Sequence, residues 1–567
     1  MLPHMREPGP GFPWGGVAAV LVAVAVVGGL SLGQRDLWAP DEPKYALVAR
    51  EMLETGEWLI PHVNGRLYPD KPPLMFWSIA AASTLTGGVG QPAAVLPSLL
   101  AALVVLAGTA ATAWLLSGRR DREVPVVAAG LLAVAYTFVN LATRGQLDML
   151  LAAGTTWGFV LLLRGTGLHP GGERRPGDVT LAFALFGLAT LAKGPVGLIV
   201  PAGGLLLGAR LARRPAPWRE LLRGAPWAAY AAVVGAWLVP AALHALASGQ
   251  EAWLHEILFR QTVVRYTESW HHEQPFWYFL LVPWYDFQPT VLLLPAALAG
   301  LLARAGRTAR PRSLSWLLAG ACLFTVLFFS IPEGKRGIYL APAYPWAATW
   351  FAIDLLERIR AGSRAVWPVR ATFGVLAALG LGLGVAAELR LPSALAARGI
   401  DLPPHLPALV LGLVGSAALA VAVRPGSRRA LAATGLAFAL LYGLAVRVAM
   451  PVLDVRNSVA PFVQAARAVL VDGARGGMVD WRAQYSFHAG PLDEALPGDE
   501  AELAALAEKL EGGAPYFVIV SEKRAPVLLR HVRGEPPLEA LRGRIGNDTM
   551  VVLANRAALG PGAGAPP

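Results

Sequence analysis

The sequence predicts a polytopic, all-α membrane protein that carries a small soluble α/β domain at its C-terminal end. Of 567 residues, 55% are hydrophobic and only 15% are charged, and mean hydropathy is +0.48. That balance belongs to an integral membrane protein. Apolar stretches of membrane-crossing length recur between Trp14 and Met450, with short arginine-rich loops between them. Beyond Asp454 the apolar runs shorten to strand length.

Charge and cysteine content exclude several classes. The net charge of +11 would suggest nucleic acid in a soluble protein. Here the basic residues sit in loops between apolar spans, the pattern of cytoplasmic loops, so no nucleic-acid partner is expected. Cys322 is the single cysteine, inside an apolar run, which excludes an internal disulfide and a cysteine-based metal site. The first apolar run, Trp14 to Leu32, follows Arg6 without a small-residue cleavage site. It reads as a retained span.

Taken in order, the runs give about thirteen spans of roughly 17–25 residues. Pro125 to Leu141 is expected as one span. A polar break from Ala142 to Asp148 follows, and a span from about Val179 ends at Lys193-Gly194-Pro195. Gln250 to Gln274 reads as a long polar loop, and three final spans finish near Met450. The arginine-rich loops fall on one side, which the positive-inside rule makes cytoplasmic. The opposite face then gathers Asp41, Glu42, Asp70, Lys71, Asp148, Lys193, His271, His272, Glu333, Lys335 and Arg336. The topology rests on the basic loops alone, so this gathering is independent evidence of a site on the outer face.

The densest polar segment of the apolar first half runs from Asp36 to Trp77 and reads as an active-site loop. Pro43 suits a first helical turn with Asp41 or Glu42 as cap. Tyr45, Val48, Ala49, Met52 and Leu53 then form one apolar stripe, and Gly56 is a C-terminal stop. Trp58 to Val63 is expected as extended chain and Asn64-Gly65 as a turn. Pro72-Pro73 opens a second apolar helix, too short to span, lying at the interface.

From Asp454 the runs Met478 to Trp481, Tyr516 to Val520 and Met550 to Leu553 read as strands, and Val459 to Val471 and Glu500 to Glu511 as helices. The expected organisation is a membrane domain over 1–453, with its first outer loop at 34–91. An outer α/β domain follows over 454–560, and a disordered Gly/Pro/Ala-rich tail over 561–567.

Asp41-Glu42-Pro43-Lys44-Tyr45, Arg50-Glu51-Met52, Gly56-Glu57-Trp58, Asn64-Gly65 and Asp70-Lys71-Pro72-Pro73-Leu74 with Trp77 resemble the first outer loop of the lipid-dependent GT-C glycosyltransferases. Within them the resemblance is to the bacterial aminoarabinose transferases and their protein O-mannosyltransferase-like relatives. Arg144 to Asp148, Leu191 to Pro195, His271-His272 with Pro275 to Tyr278, and Lys335 to Tyr339 with Pro342 extend it over the first 350 residues or so. Asp70 departs from it, since the aminoarabinose branch usually has glutamate there.

The resemblance implies a GT-C fold and an inverting transfer of sugar from a polyprenyl-phosphate donor to a glycolipid such as lipid A, a polysaccharide or a protein. It implies a bacterial inner-membrane location, with the site and the C-terminal domain on the periplasmic face, and a monomer among membrane lipids. Asp41, with Glu42 beside it, is then the leading catalytic carboxylate, and Asp148 is a partner orienting substrate or a cation. Lys71, Lys335, Arg336 and Tyr339 are the expected phosphate-binding residues. Tyr45, Tyr68, Arg144 and Lys193 are further substrate-side candidates. Asp70, His271 and His272 are the candidate ligands of a divalent metal (Zn, Mg or Mn), with no cofactor assigned with certainty.

Plainer readings stand beside these. Asp41 and Asp148 can serve as helix caps, Lys193 as a snorkelling lysine, and the two histidines as solvated loop residues. A polytopic transporter or flippase is the alternative function, but it calls for internal repeats, and no convincing repeat is present.

Overall fold

The computed structural model describes residues 11–264, 273–303, 314–396, 403 and 405–560. The chain forms two compact units. One contains 1–32, 69–75 and 95–448; the other contains 33–68, 76–94 and 449–567. Residues 34–68 and 76–91 of the first outer loop thus cluster with C-terminal residues, while 69–75 cluster with the larger unit.

The larger unit is helical. Among the described residues of the whole chain, seven helices are long and apolar enough to cross a membrane, and up to nine if each of two bent pairs is one span. It is a multi-pass membrane protein. The count of thirteen is not reached on this measure. The apolar helices Val196–Leu211 and Ser315–Ser330 have only 16 residues each. The single span expected at Pro125 to Leu141 is two helices, Glu123–Ala133 and Tyr136–Ala142, bent by 73°. Tyr278–Asp286 and Thr290–Ala303 form a second bent pair, at 114°. The expected loop after Gln250 is instead helix Glu251–His255 continuing into a π-helix, Glu256–Val264. Trp253 and Ile257, four residues apart, are both buried, which is the apolar spacing that the polar composition masks.

Close helix approach in this unit depends on glycine. A Cβ on Gly208 would lie 2.3 Å from the Leu317 carbonyl oxygen, and one on Gly320 2.5 Å from Gly208 Cα. Helices Val196–Leu211 and Ser315–Ser330 thus touch backbone to backbone, the contact that small residues permit in apolar surroundings.

In the smaller unit, helix Glu42–Thr55 ends at Gly56 in the left-handed conformation (φ +75°). Strands β1 (His62–Val63) and β2 (Arg66–Leu67) flank the Asn64-Gly65 turn, whose residues both have positive φ. Only the end of the expected Trp58 to Val63 strand is strand. Leu74–Thr86 is a 13-residue helix, too short to span, as expected. The C-terminal part holds a five-stranded sheet made of β3 (Arg475–Val479), β4 (Leu492–Ala495), β5 (Tyr516–Ser521), β6 (Leu538–Ile545) and β7 (Asp548–Ala554), in the order β4-β3-β5-β7-β6. β4, β3 and β5 are parallel, and β7 and β6 are antiparallel. Helix Glu500–Glu511 has the expected bounds, and Asp499 caps it by accepting from the Ala501 and Glu502 N–H groups. The tail 561–567 lies outside the described residues.

Gly320→Leu should lower the detergent-solubilised melting temperature by an amount equivalent to about 1–3 kcal/mol of overpacking. Gly130→Ala, where a Cβ meets nothing within 4 Å, should leave scanning fluorimetry unchanged. Equal melting of the two variants would refute the packing account.

Candidate functional site

In the larger unit three polar elements meet within the apolar helices. The break between Tyr136–Ala142 and Leu147–Thr166 is fixed by Ser98. Its hydroxyl donates to the Gln146 carbonyl and accepts from the Gln146 N–H, both at 3.0 Å. Gln146 is the N-cap residue of Leu147–Thr166, so Asp148 is not the cap. Asp148 is 2% exposed and forms an ion pair with Lys193, in the last turn of Pro176–Lys193. Gly194, at φ +88°, ends that helix directly after the lysine. The Lys193 ammonium also lies 4.6 Å from the centroid of the Tyr339 ring, on the 3-10 turn Gly337–Ala343. Three segments far apart in sequence therefore present a carboxylate, an ammonium and a phenol together. The snorkelling reading of Lys193 gives way to this pairing, because a buried carboxylate needs its cation.

Lys335 is occupied differently from the expectation. Its ammonium, 4% exposed, donates to the Gln274 carbonyl at 2.8 Å and approaches the Glu333 carbonyl at 3.4 Å. It ties the 273–274 segment to the 333–335 segment, which also meet through a Glu273–Gly334 bridge. Burial pulls its pKa below the ordinary lysine value, with the Glu333 charge opposing. Two of its donors thus serve backbone carbonyls, which gives it a scaffold role in this turn. Arg336 and Arg144 are half-buried in the adjoining turn and the helix break. Lys71 donates to the carbonyl of Asp70 at 3.0 Å in the turn before Leu74–Thr86.

The smaller unit holds the rest. Asp41 occupies the N-cap position of Glu42–Thr55 and makes no side-chain capping bond. Glu42, expected beside it as a catalytic carboxylate, is instead fully buried. Its oxygens accept from the two Arg35 nitrogens at 2.5 and 2.7 Å and from the Trp38 N–H at 2.8 Å. Both side chains of this ion pair have no exposed surface, and the guanidinium lies 4.5 Å over the Trp38 ring. These bonds tie Glu42 to Arg35 and the Trp38 backbone. Tyr45 and Tyr68 are buried with ring centroids 5.8 and 5.9 Å from that of Phe76. Lys44 places its ammonium 5.7 Å from the centroid of Tyr68.

Sequence reading missed a clasp within this unit. Asp454 accepts from the Asp36 N–H at 2.9 Å and the Trp38 indole N–H at 2.7 Å. Asp36 meets His488 at 2.9 Å and accepts from the Ser458 hydroxyl at 2.7 Å. Asn64 donates to the Leu492 carbonyl and Glu494 and accepts from the Leu492 N–H. Partners more than 400 residues apart leave no local signal; the only hint was charge directly after the first span and directly after the last.

His271 and His272 lie outside the described residues. Among the described residues, no group of three or more His, Cys, Asp or Glu side chains is placed to hold a metal.

Comparison with known proteins bears out the family resemblance. Residues 70–244 match the family model described as dolichyl-phosphate-mannose-protein mannosyltransferase. A protein of Pectobacterium carotovorum subsp. carotovorum (strain PC1), named undecaprenyl phosphate-alpha-4-amino-4-deoxy-L-arabinose arabinosyl transferase, is 30% identical over 391 residues, covering 65% of each chain. Proteins of the same name from Enterobacter sp. (strain 638) and Aeromonas salmonicida (strain A449) are 29% and 28% identical, over 56% and 78% of this chain. The match covers 55% of the Enterobacter relative and 79% of the Aeromonas one. The crystal structure of ArnT from Cupriavidus metallidurans bound to undecaprenyl phosphate superposes with a TM-score of 0.76 at 19% identity, over 98% of this chain and 100% of that one. The apo oligosaccharyltransferase of Archaeoglobus fulgidus gives 0.51 at 13% identity, over 92% and 71%. The fold is therefore the GT-C fold that the sequence pointed to.

Glu42→Ala should strand a buried guanidinium and cost about 3–5 kcal/mol, whereas Arg35→Met combined with Glu42→Leu should recover most of it; thermal unfolding separates the two. Burial alone would raise the Asp36 carboxyl, but the hydrogen bond and charge of His488, with Ser458 and the Leu37 N–H, hold it below 3.8. A depressed carboxylate stabilises fully above the unfolded value and progressively less as pH falls through the folded one. The stability gap between wild type and Asp36→Asn should therefore be full at neutral pH and close below pH 3.8. A gap that persists unchanged in acid would place the stabilisation elsewhere.

Proposed function

We propose, from a fold shared with ArnT and from the Asp148–Lys193–Tyr339 junction, that this chain is a polyprenyl-phosphate-sugar-dependent glycosyltransferase of the bacterial inner membrane. It moves a sugar, with inversion, to a glycolipid such as lipid A, a polysaccharide or a protein on the periplasmic face. The junction is the observation that carries the reading. A transporter needs no paired carboxylate and ammonium fixed beside a phenol at helix ends, whereas phosphate departure from a sugar needs fixed charge. The relatives' names support undecaprenyl phosphate as the lipid carrier and an amino-arabinose as one donor sugar.

The roles follow from charge and position. Lys71 and Arg336 supply cations to the leaving phosphate, lysine as a point charge and arginine as a donor fork. Lys335 orders the turn that carries Arg336 and Tyr339. Asp148 pairs with Lys193, and the pair orients the substrate. Asp41 takes the acceptor proton, since Glu42 is committed to Arg35.

Purified protein with polyprenyl-phosphate sugars should release polyprenyl phosphate only when an acceptor is present. No release with any donor and acceptor pair would overturn the reading. Asp41→Asn should cut turnover by about 10²–10⁴-fold with normal folding. Because Asp41 makes no capping bond, Asp41→Ala should match it. Lys71→Ala and Arg336→Ala should each weaken donor binding by roughly ten- to a hundredfold; unchanged affinity in both would move the phosphate elsewhere. In a Cys322→Ala background, a cysteine at exposed Glu508 should label from outside intact cells, and one at exposed Glu173 only after permeabilisation.

A further inference from the structure

The sheet of the smaller unit reverses direction between β3 and β5. The chain leaves β3 towards β4 on one side, returns across β3 to β5, and then moves on to β6 and β7 on the other side. Open α/β sheets bind ligands at the carboxyl ends of the strands flanking such a reversal, because the outgoing loops part there. The residues at this edge are unusual. Asp480, directly after β3, stands at φ +61°, a left-handed conformation that aspartate adopts more readily than most non-glycine residues. Its carboxylate pairs with Arg524, just past β5, at 2.6 Å. Arg482 reaches Asp548 at the start of β7 at 3.2 Å and Asp480 at 3.8 Å. These four side chains are between 34% and 39% exposed. Half-buried Trp481 sits between Asp480 and Arg482 in the chain, its indole N–H satisfied by Ser486 at 2.7 Å.

A second observation is independent of these pairs. Tyr485 is completely buried, yet its hydroxyl has no hydrogen-bond partner. Arg482 and Asp548 lie close enough to act on it electrostatically, beside the dominant effect of burial. An unsatisfied buried hydroxyl costs stability, and native proteins keep few of them.

We propose that the carboxyl edge of β3 and β5 is a saccharide-binding site, in which Arg482, Arg524, Asp480 and Asp548 read vicinal sugar hydroxyls and Tyr485 takes over at Asp548 as Arg482 turns to the ligand. Two guanidiniums and two carboxylates sum to zero charge. A phosphate or carboxylate would meet Asp480 and Asp548, and like charges oppose binding. Vicinal hydroxyls both donate and accept, so they match an alternating set of fixed acceptors and donors. The exposed part of Trp481 adds apolar surface for a sugar ring face. The site deepens the transferase reading, on which it rests only for the source of the saccharide, the glycan portion of the acceptor.

The test uses the full-length protein in nanodiscs and saturation-transfer NMR with glucose, galactose and N-acetylglucosamine as probes. At least one neutral sugar should be saturated by the wild type, and inorganic phosphate should not displace it. Tyr485→Phe keeps the packing and removes only the unpartnered hydroxyl, so its melting temperature should hold or rise. Its sugar affinity should nevertheless fall about threefold to tenfold, the worth of one hydrogen bond. Arg482→Gln should lose more. Overturning results are no saturation by any probe, displacement by phosphate, or equal affinity in wild type and Tyr485→Phe. Saturation abolished by Asp148→Asn but indifferent to Tyr485→Phe would also overturn the site while leaving the transferase reading intact. Tyr485-dependent binding in a protein that never releases polyprenyl phosphate would uphold the site and sink that reading.

Discussion

In an apolar helical body each charge and each unpaired backbone group must find its partner inside the protein. The larger unit is arranged around that constraint. Its helices can be interrupted only where side chains complete the backbone bonding, as Ser98 does on both sides of the Gln146 peptide. Its charges occur at helix ends and in pairs, as with Asp148 and Lys193. Lys335 meets the same demand with carbonyl oxygens in place of a carboxylate. The interruptions and the chemistry are thus one feature: a helix that stops inside such a body exposes polar groups, and those groups form the junction.

The smaller unit meets the constraint by different means. Its outer loop buries Tyr45, Val48, Met52, Ile60 and Phe76, and polar contacts order it internally and fasten it to C-terminal residues. Arg35 and Glu42 bury a complete ion pair, while Asp36, Asp454, Ser458 and His488 close a second network around Trp38. Arg50 adds a third contact, donating to the Phe487 carbonyl at 2.7 Å with its guanidinium 3.7 Å from that ring's centroid. Buried ion pairs contribute less to stability than to specifying one arrangement. For a loop that presents Asp41, a single arrangement is the useful property.

Much of this was legible in the sequence. Helix Glu42–Thr55, its Gly56 stop and the Asn64-Gly65 turn follow from local chemistry, and so do the polar break before Asp148 and the bounds of Glu500–Glu511. β4 and β6 were missed for a physical reason. Leu-Asp-Glu-Ala and Leu-Glu-Ala-Leu-Arg-Gly-Arg-Ile lack β-branched runs, and both lie at sheet edges, where a strand is specified by its neighbour more than by itself. The bends at 134–135 and near 287–289 escaped because hydropathy measures composition and is blind to direction. The Arg35–Glu42 pair was not legible because Arg35 lies outside the polar segment that begins at Asp36. The contacts of Lys335 were not legible because its partners are backbone carbonyls, which carry no sequence identity.

The fastening of the loop has a consequence for how the protein is made. Asp36 finds Asp454 after 418 residues and His488 after 452, and Asn64 finds Leu492 after 428. A ribosome adding about 5–20 residues per second needs roughly 20 to 90 s to supply those partners. Throughout that interval the first helices are already in the membrane, while the segment bearing Asp41 lacks the groups that order it. The loop's C-terminal partners are therefore absent until the last fifth of the chain is translated. Truncation anywhere before that point removes every one of these long-range partners at once.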